Sequence, residues 1–494
     1  MIFNKIEEYL VYGIAAALLY ITWKGISNFL FSPIRHLHLP GPIPAKLTSK
    51  WLLMHDLAGH RTEKVHSLHK QFGPVVQVAP NEISFADVAC IKDIYGSSTT
   101  CIKAPIYSKI GKLGLFQMRD PEQHRARHRR VSPVFAQNIL LQLEPLIQEQ
   151  VGILMDVVER KAGKAFDALH WMRMTALDVA GEILLGKSFD SLKGENPPPY
   201  THYLDNVHLV FALWDLAPWL CFILSRIPLH KFQEFWKAGD YLYEYGDNAL
   251  RSYIALYGRK SSRYDLLTKL IAGNAAQSIS PLTDEEISIE ISNEVLAATD
   301  TTGNTMAYAL YQLCCNPKWQ QRLRNELRGS DGREKSWSFQ SVQHLPVLHA
   351  VIMETLRVYP AVPCGLPRIT PPQGTKVGNL FIPGNTPLSM QAFTTQRDPS
   401  IFPNADTWDP ERWISTLGGT VEMKNALLVW GRGTRICLGQ NMAMMEMKIV
   451  ITRLIERFTI IVASQRTHDD MLITDHFALI PKGGRCEVVF ELAK

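Results

Sequence analysis

The segment Trp430-Gly431-Arg432-Gly433-Thr434-Arg435-Ile436-Cys437-Leu438-Gly439 sets one cysteine in a glycine-rich loop, with an arginine two residues before it and a glycine two after. Such a loop can present a single thiolate to a metal at the centre of a flat macrocycle. Glycine lets the backbone turn sharply and approach the ring closely. Gly433 suits the turn before the cysteine, and Gly439 leaves the following helical stretch, Asn441 to Phe458, free to lie against the ring. Arg435 is placed to neutralise a carboxylate on the ring's edge. Amides at the start of that helix favour the thiolate of Cys437 over the thiol. A thiolate bound to a haem iron pushes electron density onto it and promotes O–O cleavage. The competing reading is that Cys437 is one of eight cysteines and packs as a small buried hydrophobe.

A second group with chemical potential is Ala297-Ala298-Thr299-Asp300-Thr301-Thr302. It lies in a helical pattern from Thr283 to Cys315, with Thr283 and Glu286 as a capping box. Asn316-Pro317 ends the pattern and can start the next helix. A helix of about 33 residues runs about 50 Å, enough to cross a domain. Two small residues, an acid and two hydroxyls stand at its middle. Threonine in a helix commonly bonds back to the preceding turn, and Asp300 has no ion-pair partner nearby in sequence. As chemistry, the pair could move protons.

Glu354-Thr355-Leu356-Arg357 sits in a helical stretch, Val347 to Tyr359, that stops before Pro360. Glu354 and Arg357 share a helix face at i, i+3. An exposed pair of this kind contributes little. Here Leu348, Val351, Ile352, Leu356 and Val358 leave little polar surface, so the charges need partners. Arg412, in Asp409-Pro410-Glu411-Arg412-Trp413, is the candidate. The run from His124 to Arg130, followed by Val131-Ser132-Pro133-Val134-Phe135, reads by default as a solvated helix face.

In this order and spacing the four segments resemble the cytochrome P-450 family. The Cys437 loop matches the family's haem signature at every fixed position but the first, where Trp430 replaces phenylalanine. By that resemblance Cys437 is the iron ligand of a haem b. Thr301 and Asp300 match the family's proton-delivering pair, and Ala298 stands where glycine is usual. Glu354, Arg357 and Arg412 match a structural network. His124 and His128 fall where the family places contacts to the haem propionates, His128 being a departure from arginine that Arg127 or Arg129 could replace. Arg368, in Gly-Leu-Pro-Arg, matches another propionate position. The implied fold is one large, mainly α domain with a smaller β lobe. The implied partner is a separate NADPH-dependent flavoprotein reductase, since no phosphate-binding glycine loop or flavin segment occurs in the chain.

The rest of the chain sets the frame for these residues. No low-complexity linker or repeat divides its 494 residues. Strand signals occur at Val75 to Val78 with Glu82 to Phe85, at Lys376 to Ile382, and at Ala478 with Arg485 to Leu492. Tyr9 to Trp23 is an uninterrupted apolar run, extended after Lys24 by Gly25 to Phe31. That length suits a membrane-spanning helix, and Lys24 can snorkel. Glu7 and Glu8 beside Lys5 argue for a retained anchor over a cleaved signal peptide. Arg35, Lys46, Lys50, Arg61 and Lys64 follow it, which places the main domain on the cytosolic side of the endoplasmic reticulum membrane. Residues 1–38 are thus expected as the anchor, 39–45 as a stiff proline-rich break that is not helical, and 46–494 as the catalytic domain.

Unpaired cysteine spacing fits a reducing compartment and no structural zinc. A net charge of +5 is too small to suggest a nucleic-acid partner. Arg432, Arg435 and the Arg125 to Arg130 cluster are expected to form a docking face for an acidic electron donor. The loops expected around the substrate are Ile106 to Phe116, His208 to Leu216, Ala361 to Leu366 and Ile473 to Phe477, with Phe116, Phe211, Trp214 and Phe477 providing bulk. They imply a lipophilic small molecule. The resemblance implies a monooxygenase of fungal secondary metabolism. Two alternatives stay open: a haem-thiolate isomerase or dehydratase without O₂ chemistry, and a membrane-anchored haem sensor.

Overall fold

The computed structural model describes residues 2–194, 197–216, 218–273, 281–329 and 337–493. Helices dominate it, and one apolar core joins most of them. The helix Asp284–Cys315 runs through that core, with Ile287, Ile291, Val295, Met306, Leu310 and Leu313 buried on it. Its start is the capping box read from the sequence: Glu286 N–H donates to Thr283 Oγ1 at 3.2 Å, and Thr283 N–H to Glu286 Oε2 at 2.9 Å. Pro317 opens the next helix, Pro317–Gly329. The helix Ala168–Ala180 crosses the long helix at Gly303, where a Cβ would lie 2.7 Å from the Arg173 Cα. Only glycine permits that approach, which brings Arg173 beside Asp300, one turn away.

A second, smaller core lies under a five-stranded sheet. The strand order is Val75–Ala79, Glu82–Phe85, Pro387–Met390, Arg368–Ile369, Ile102–Lys103. Ile83, Phe85, Leu388 and Met390 point into this core. The stretch Lys376 to Ile382 is a hairpin of Thr375–Val377 and Leu380–Ile382. The C-terminal strand signals belong to two sheets. Ala478–Pro481 pairs with Ile473–His476, while Glu487–Leu492 lies between Phe458–Val462 and Ala165–Asp167. The turn at Gly484, with φ +64°, separates them.

The N-terminal segment departs from the sequence reading in two ways. Ile43–Leu47 is a short helix inside the stretch expected to be non-helical. Pro44 sits in its first turn, where a missing N–H is not needed. Ile34 and Leu39 are buried in the smaller core, and Gln77 N–H donates to the Pro40 carbonyl at 2.8 Å. The expected boundary after residue 38 therefore falls inside packed chain. Upstream, Ile2–Leu30 is helical, with Leu18, Leu19, Ile21 and Trp23 exposed. Among the described residues no helix is long and apolar enough to cross a membrane.

Candidate active site

Cys437 and the middle of the long helix both line one cavity of about 700 Å³. The loop that carries Cys437 is closed by its own backbone: Cys437 N–H donates to the Trp430 carbonyl at 2.8 Å. Gly433 has φ +64°, and a Cβ there would lie 2.4 Å from the Tyr95 carbonyl oxygen, so the turn needs glycine. A Cβ at Gly439 would meet only the Cys437 sulfur, at 3.9 Å, so the space glycine leaves there opens on the cavity. Trp430 lines the cavity beside the sulfur. Cys437 has exposed surface, but that surface faces the cavity. Burial, then the charge of Glu294, pushes its thiol up to about 11, against the Gly439 and Gln440 amides that hydrogen-bond the sulfur. The expected bias toward thiolate is outweighed in the polypeptide alone. A metal deprotonates a coordinating thiol outright.

Three cations converge on the same cavity. Lys103 and Arg368 stand directly opposite each other in an antiparallel pair, and Arg435 reaches in from the cysteine loop. Arg435 donates to the carbonyls of Met118 at 2.7 Å and Arg119 at 3.3 Å. Arg368 donates to those of Leu366 and Pro367 at 3.2 and 3.3 Å. Lys103 bonds the Phe116 carbonyl and lies between the Tyr107 and Phe116 rings. None of the three has a carboxylate partner among the described residues. Burial, with the charges of Arg368 and Arg435, holds the Lys103 ammonium well below its usual range. Arg435 is held down to about 10 by burial and then Arg368. Like charges directly opposite in a sheet are destabilising. This cluster is complete only with an anion, and the two carboxylates of a haem, beside a cysteine in the same cavity, meet that need.

His124 and His128 stack along one helix face, rings 5.6 Å apart, and both line the cavity. Burial, then Arg435, lowers His124 to about 3. His128 is lowered by the same two causes. Arg127, considered as a substitute contact, is committed elsewhere: it donates to Glu286 and Glu290 of the long helix at 2.6 Å each. Arg129 is exposed. The expected cationic docking face shrinks accordingly, since Arg435 points inward, Arg127 is buried and Arg130 pairs with Glu286.

On the distal side Ala297, Ala298 and Thr301 line the cavity. Thr301 Oγ1 donates to the Ala297 carbonyl at 2.6 Å, the ordinary bond of a helical threonine. Asp300 does have a partner, from a distant part of the chain. Arg173 Nε donates to it at 2.9 Å, and the same guanidinium donates to half-exposed Asp205 at 2.6 Å. Behind the cavity Glu354 is fully buried. It accepts from Arg357 twice at 2.8 Å, Arg412 at 3.0 Å, Trp413 at 2.9 Å and the Asp409 amide at 2.9 Å.

Residues 38–488 match the cytochrome P-450 family. The chain belongs to that family. It is 31% identical over 460 residues to the cytochrome P-450 monooxygenase tazI of Aspergillus terreus, covering 91% of this chain and 92% of that one. It is 30% identical over 461 residues to cytochrome P-450 monooxygenase ORF9 of Penicillium roqueforti, covering 89% and 86%. A relative in Aspergillus niger, cytochrome P-450 monooxygenase orf2, is 27% identical over 484 residues, covering 96% and 95%. The protein is a haem-thiolate oxidoreductase, a monooxygenase, and its cofactor is haem b with an axial cysteine thiolate.

As a cytochrome P-450 the chain brings Cys437, Trp430, Gly439, Arg435, Arg368, His124, His128, Asp300 and Thr301 to one cavity, while Gly433 makes the turn before Cys437 outside its lining. Of the bulky residues expected around the substrate, Phe116, Phe211 and Phe477 line it. Trp214 does not; it packs edge-on against Trp236, ring centroids 6.2 Å apart. Sequence reasoning missed Lys103 and Arg173. Lys103 sits in a two-residue strand with no motif around it, and Arg173 in a helix far from Asp300. Neither carries a local signal.

Proposed function

We propose that this cytochrome P-450 inserts one oxygen atom from O₂ into a lipophilic small molecule during fungal secondary metabolism. Electrons come from NADPH through a separate flavoprotein reductase. The observation that carries the reading is the placement of Cys437 and Thr301 on the walls of one cavity, with Asp300 tethered behind Thr301. Haem b, when bound, supplies the redox chemistry that splits dioxygen. Cys437 holds the iron. Arg435, Arg368, Lys103, His124 and His128 hold the propionates. The apolar walls at Phe116, Phe211, Phe477 and Val362 bind the substrate and exclude water.

Protons must reach this dry site from solvent. Asp205, Arg173 and Asp300 form a continuous bonded series from the surface inward. A turn of the Asp300 carboxylate away from Arg173 would let it take a proton from solvent and pass that proton toward Thr301, while Arg173, which only donates, holds the acid in place. The Thr301 hydroxyl, anchored on the Ala297 carbonyl, can hold a proton at Oγ1 on the cavity side. An isomerase or dehydratase would have no use for this series.

The N-terminal helix is read as a single-pass anchor in the endoplasmic reticulum membrane, with the catalytic domain in the cytosol. Its support is the row of exposed apolar residues, Leu18, Leu19, Tyr20, Ile21 and Trp23, on a helix outside both cores. Because Ile34 and Leu39 belong to the fold, a chain starting near Phe31 should leave the membrane pellet yet load haem. A chain starting at Pro44 should not load it.

The reaction is tested with ¹⁸O₂ and the reductase. Product should carry the label, and Thr301→Ala should lose about 10²–10⁴ in product rate, still consuming NADPH and releasing hydrogen peroxide. Unlabelled product at the parental rate in Thr301→Ala would hand the reading to the isomerase. Cys437→Ala should abolish the red-shifted Soret band that a thiolate gives the reduced carbon monoxide complex.

A further inference from the structure

The cavity is lined by six carboxylic acids on this chain: Asp56, Glu82, Glu290, Glu294, Asp300 and Glu446. Four have cationic partners. Asp56 and Glu82 lie 3.7 and 3.8 Å from Arg61, Glu290 accepts from Arg127, and Asp300 from Arg173. Glu446 is almost wholly buried on the helix after Cys437, with little surface to offer a ligand. Glu294 differs from all of these. It makes no hydrogen bond or ion pair among the described residues, yet it keeps partial exposure, and it lines the cavity.

Its place on the long helix says what that exposure faces. Glu294 precedes Thr301 by seven residues, two helical turns on one face, or roughly 10 Å of rise. It therefore stands on the wall shared with Thr301, beyond the point where oxygen is delivered. The polar groups beside it are already saturated. Tyr243 donates to Asn293 at 2.9 Å and accepts from the Lys112 amide at 2.9 Å, and Gln117 donates to Asn293 at 3.2 Å. The cavity wall also carries Leu115, Phe116, Leu209, Phe211 and Leu296, all apolar. The groups that act on Glu294 electrostatically are another acid, Glu290, and Cys437. Burial, then Glu290, raises its carboxyl to about 8.

A lone carboxyl in an apolar pocket is unfavourable unless something pairs with it. Lys103, Arg368 and Arg435 cluster at the haem-carboxylate end, Arg61 is taken up by Asp56 and Glu82, and among the described residues no cation forms an ion pair with Glu294. From this we propose that Glu294 selects the substrate: it pairs with a basic nitrogen on an otherwise lipophilic molecule. A charge-assisted bond to an ammonium is stronger than a neutral one to a hydroxyl or carbonyl, and the surrounding apolar wall strengthens it further. The nitrogen would then lie on the order of 10 Å from the carbon that is oxidised, by the helix rise between Glu294 and Thr301. This rests on the cavity being the substrate space of the monooxygenase.

The test measures binding to the haem-loaded full chain by calorimetry, at a pH where a tertiary amine is protonated. The probes are N,N-dimethyloctylamine, whose two methyl groups hinder ligation to iron, and octyl methyl ether, its uncharged counterpart. The parent should bind the amine at least tenfold more tightly than the ether. Glu294→Gln should lose that preference while binding the ether as before and keeping the thiolate Soret band. Glu294→Asp should keep part of it. Equal affinity for the two probes in the parent, or an unchanged preference in Glu294→Gln, overturns the proposal. If Glu294→Gln fails to load haem, the parent's preference and Glu294→Asp still decide. Loss of the Soret band in the parent would count against the monooxygenase reading, whereas an absent amine preference with the band intact counts only against Glu294.

Discussion

Two buried charge clusters flank the cavity, and they are built on opposite plans. Around Glu354 every charge is answered within the chain. Arg357 alone uses all its donors, on Glu354, Gln396, Ala405 and Thr407. Around Arg435 no carboxylate pairs with the charges among the described residues: the hydrogen bonds of Lys103, Arg368 and Arg435 go to backbone carbonyls. Buried charges are tolerated when paired and hydrogen-bonded. The first cluster is therefore complete when the chain folds, and it acts as architecture. The second is complete only when a dianion arrives, and it acts as a receptor. Both clusters contain arginines, and the pairing tells them apart.

Breaking the closed cluster should have the largest effect. Glu354→Ala leaves Arg357 and Arg412 charged in the interior without their acceptor. Removing one partner of a buried pair costs about 3–5 kcal/mol, a large share of the roughly 5–15 kcal/mol a domain has. The variant should express as haem-free, aggregated protein, read from haem content and a urea midpoint. A parental midpoint would mean the network contributes nothing to the fold. Glu354→Gln keeps one acceptor oxygen, enough for the Trp413 side or the Arg412 side but not both, and should fall between the parent and Glu354→Ala.

The open cluster should respond with opposite signs in its two states. Lys103→Met keeps the stem and removes a cation facing Arg368. Without haem, the variant should be more stable than the parent by roughly 1 kcal/mol, the scale of a like-charge pair across a sheet. With haem, it should hold the cofactor about tenfold less tightly, the loss of one charge-assisted hydrogen bond. Chemical denaturation of the haem-free protein and transfer of haem to apomyoglobin measure the two. A loss of stability in both states would make Lys103 part of the architecture, and the contrast would fail.

The same contrast explains what could be read from the sequence. Glu354, Arg357 and Cys437 sit in short segments whose spacing alone declares their geometry: i, i+3 on a helix, or a cysteine between glycines. The capping box at Thr283 and the long helix it starts were legible for the same reason. Lys103 faces Arg368 only because a two-residue strand pairs with another from the far half of the chain. Arg173 meets Asp300 only because Gly303 lets two helices touch. Periodicity reports what a segment does to itself. It says nothing of which distant side chain fills a partner's valence. The strand pairing near the C-terminus and the Ile43–Leu47 helix escaped for a related reason, since proline and turn residues mark breaks without saying what stands on either side.

The smallest expected effect sharpens the contrast through pH. His124 belongs to the open cluster, and in the folded chain its pKa is lowered to about 3 by burial and Arg435. In the unfolded chain it returns to about 6.5. Above that value both states are neutral there and His124 contributes no pH dependence. Below it, the unfolded chain takes up a proton that the folded chain refuses, so stability falls as pH drops from about 6.5 toward 3. In the haem-free protein, His124→Phe should flatten that part of the stability profile. Loading haem should flatten it too, because propionate charge beside the ring offsets Arg435 and lets His124 keep its proton. Urea midpoints from pH 7.5 to 5 for parent and variant, each with and without haem, measure all four slopes. Equal slopes in parent and variant without haem would mean that His124 does not feel the cluster, and the receptor would then consist of Lys103, Arg368 and Arg435 alone.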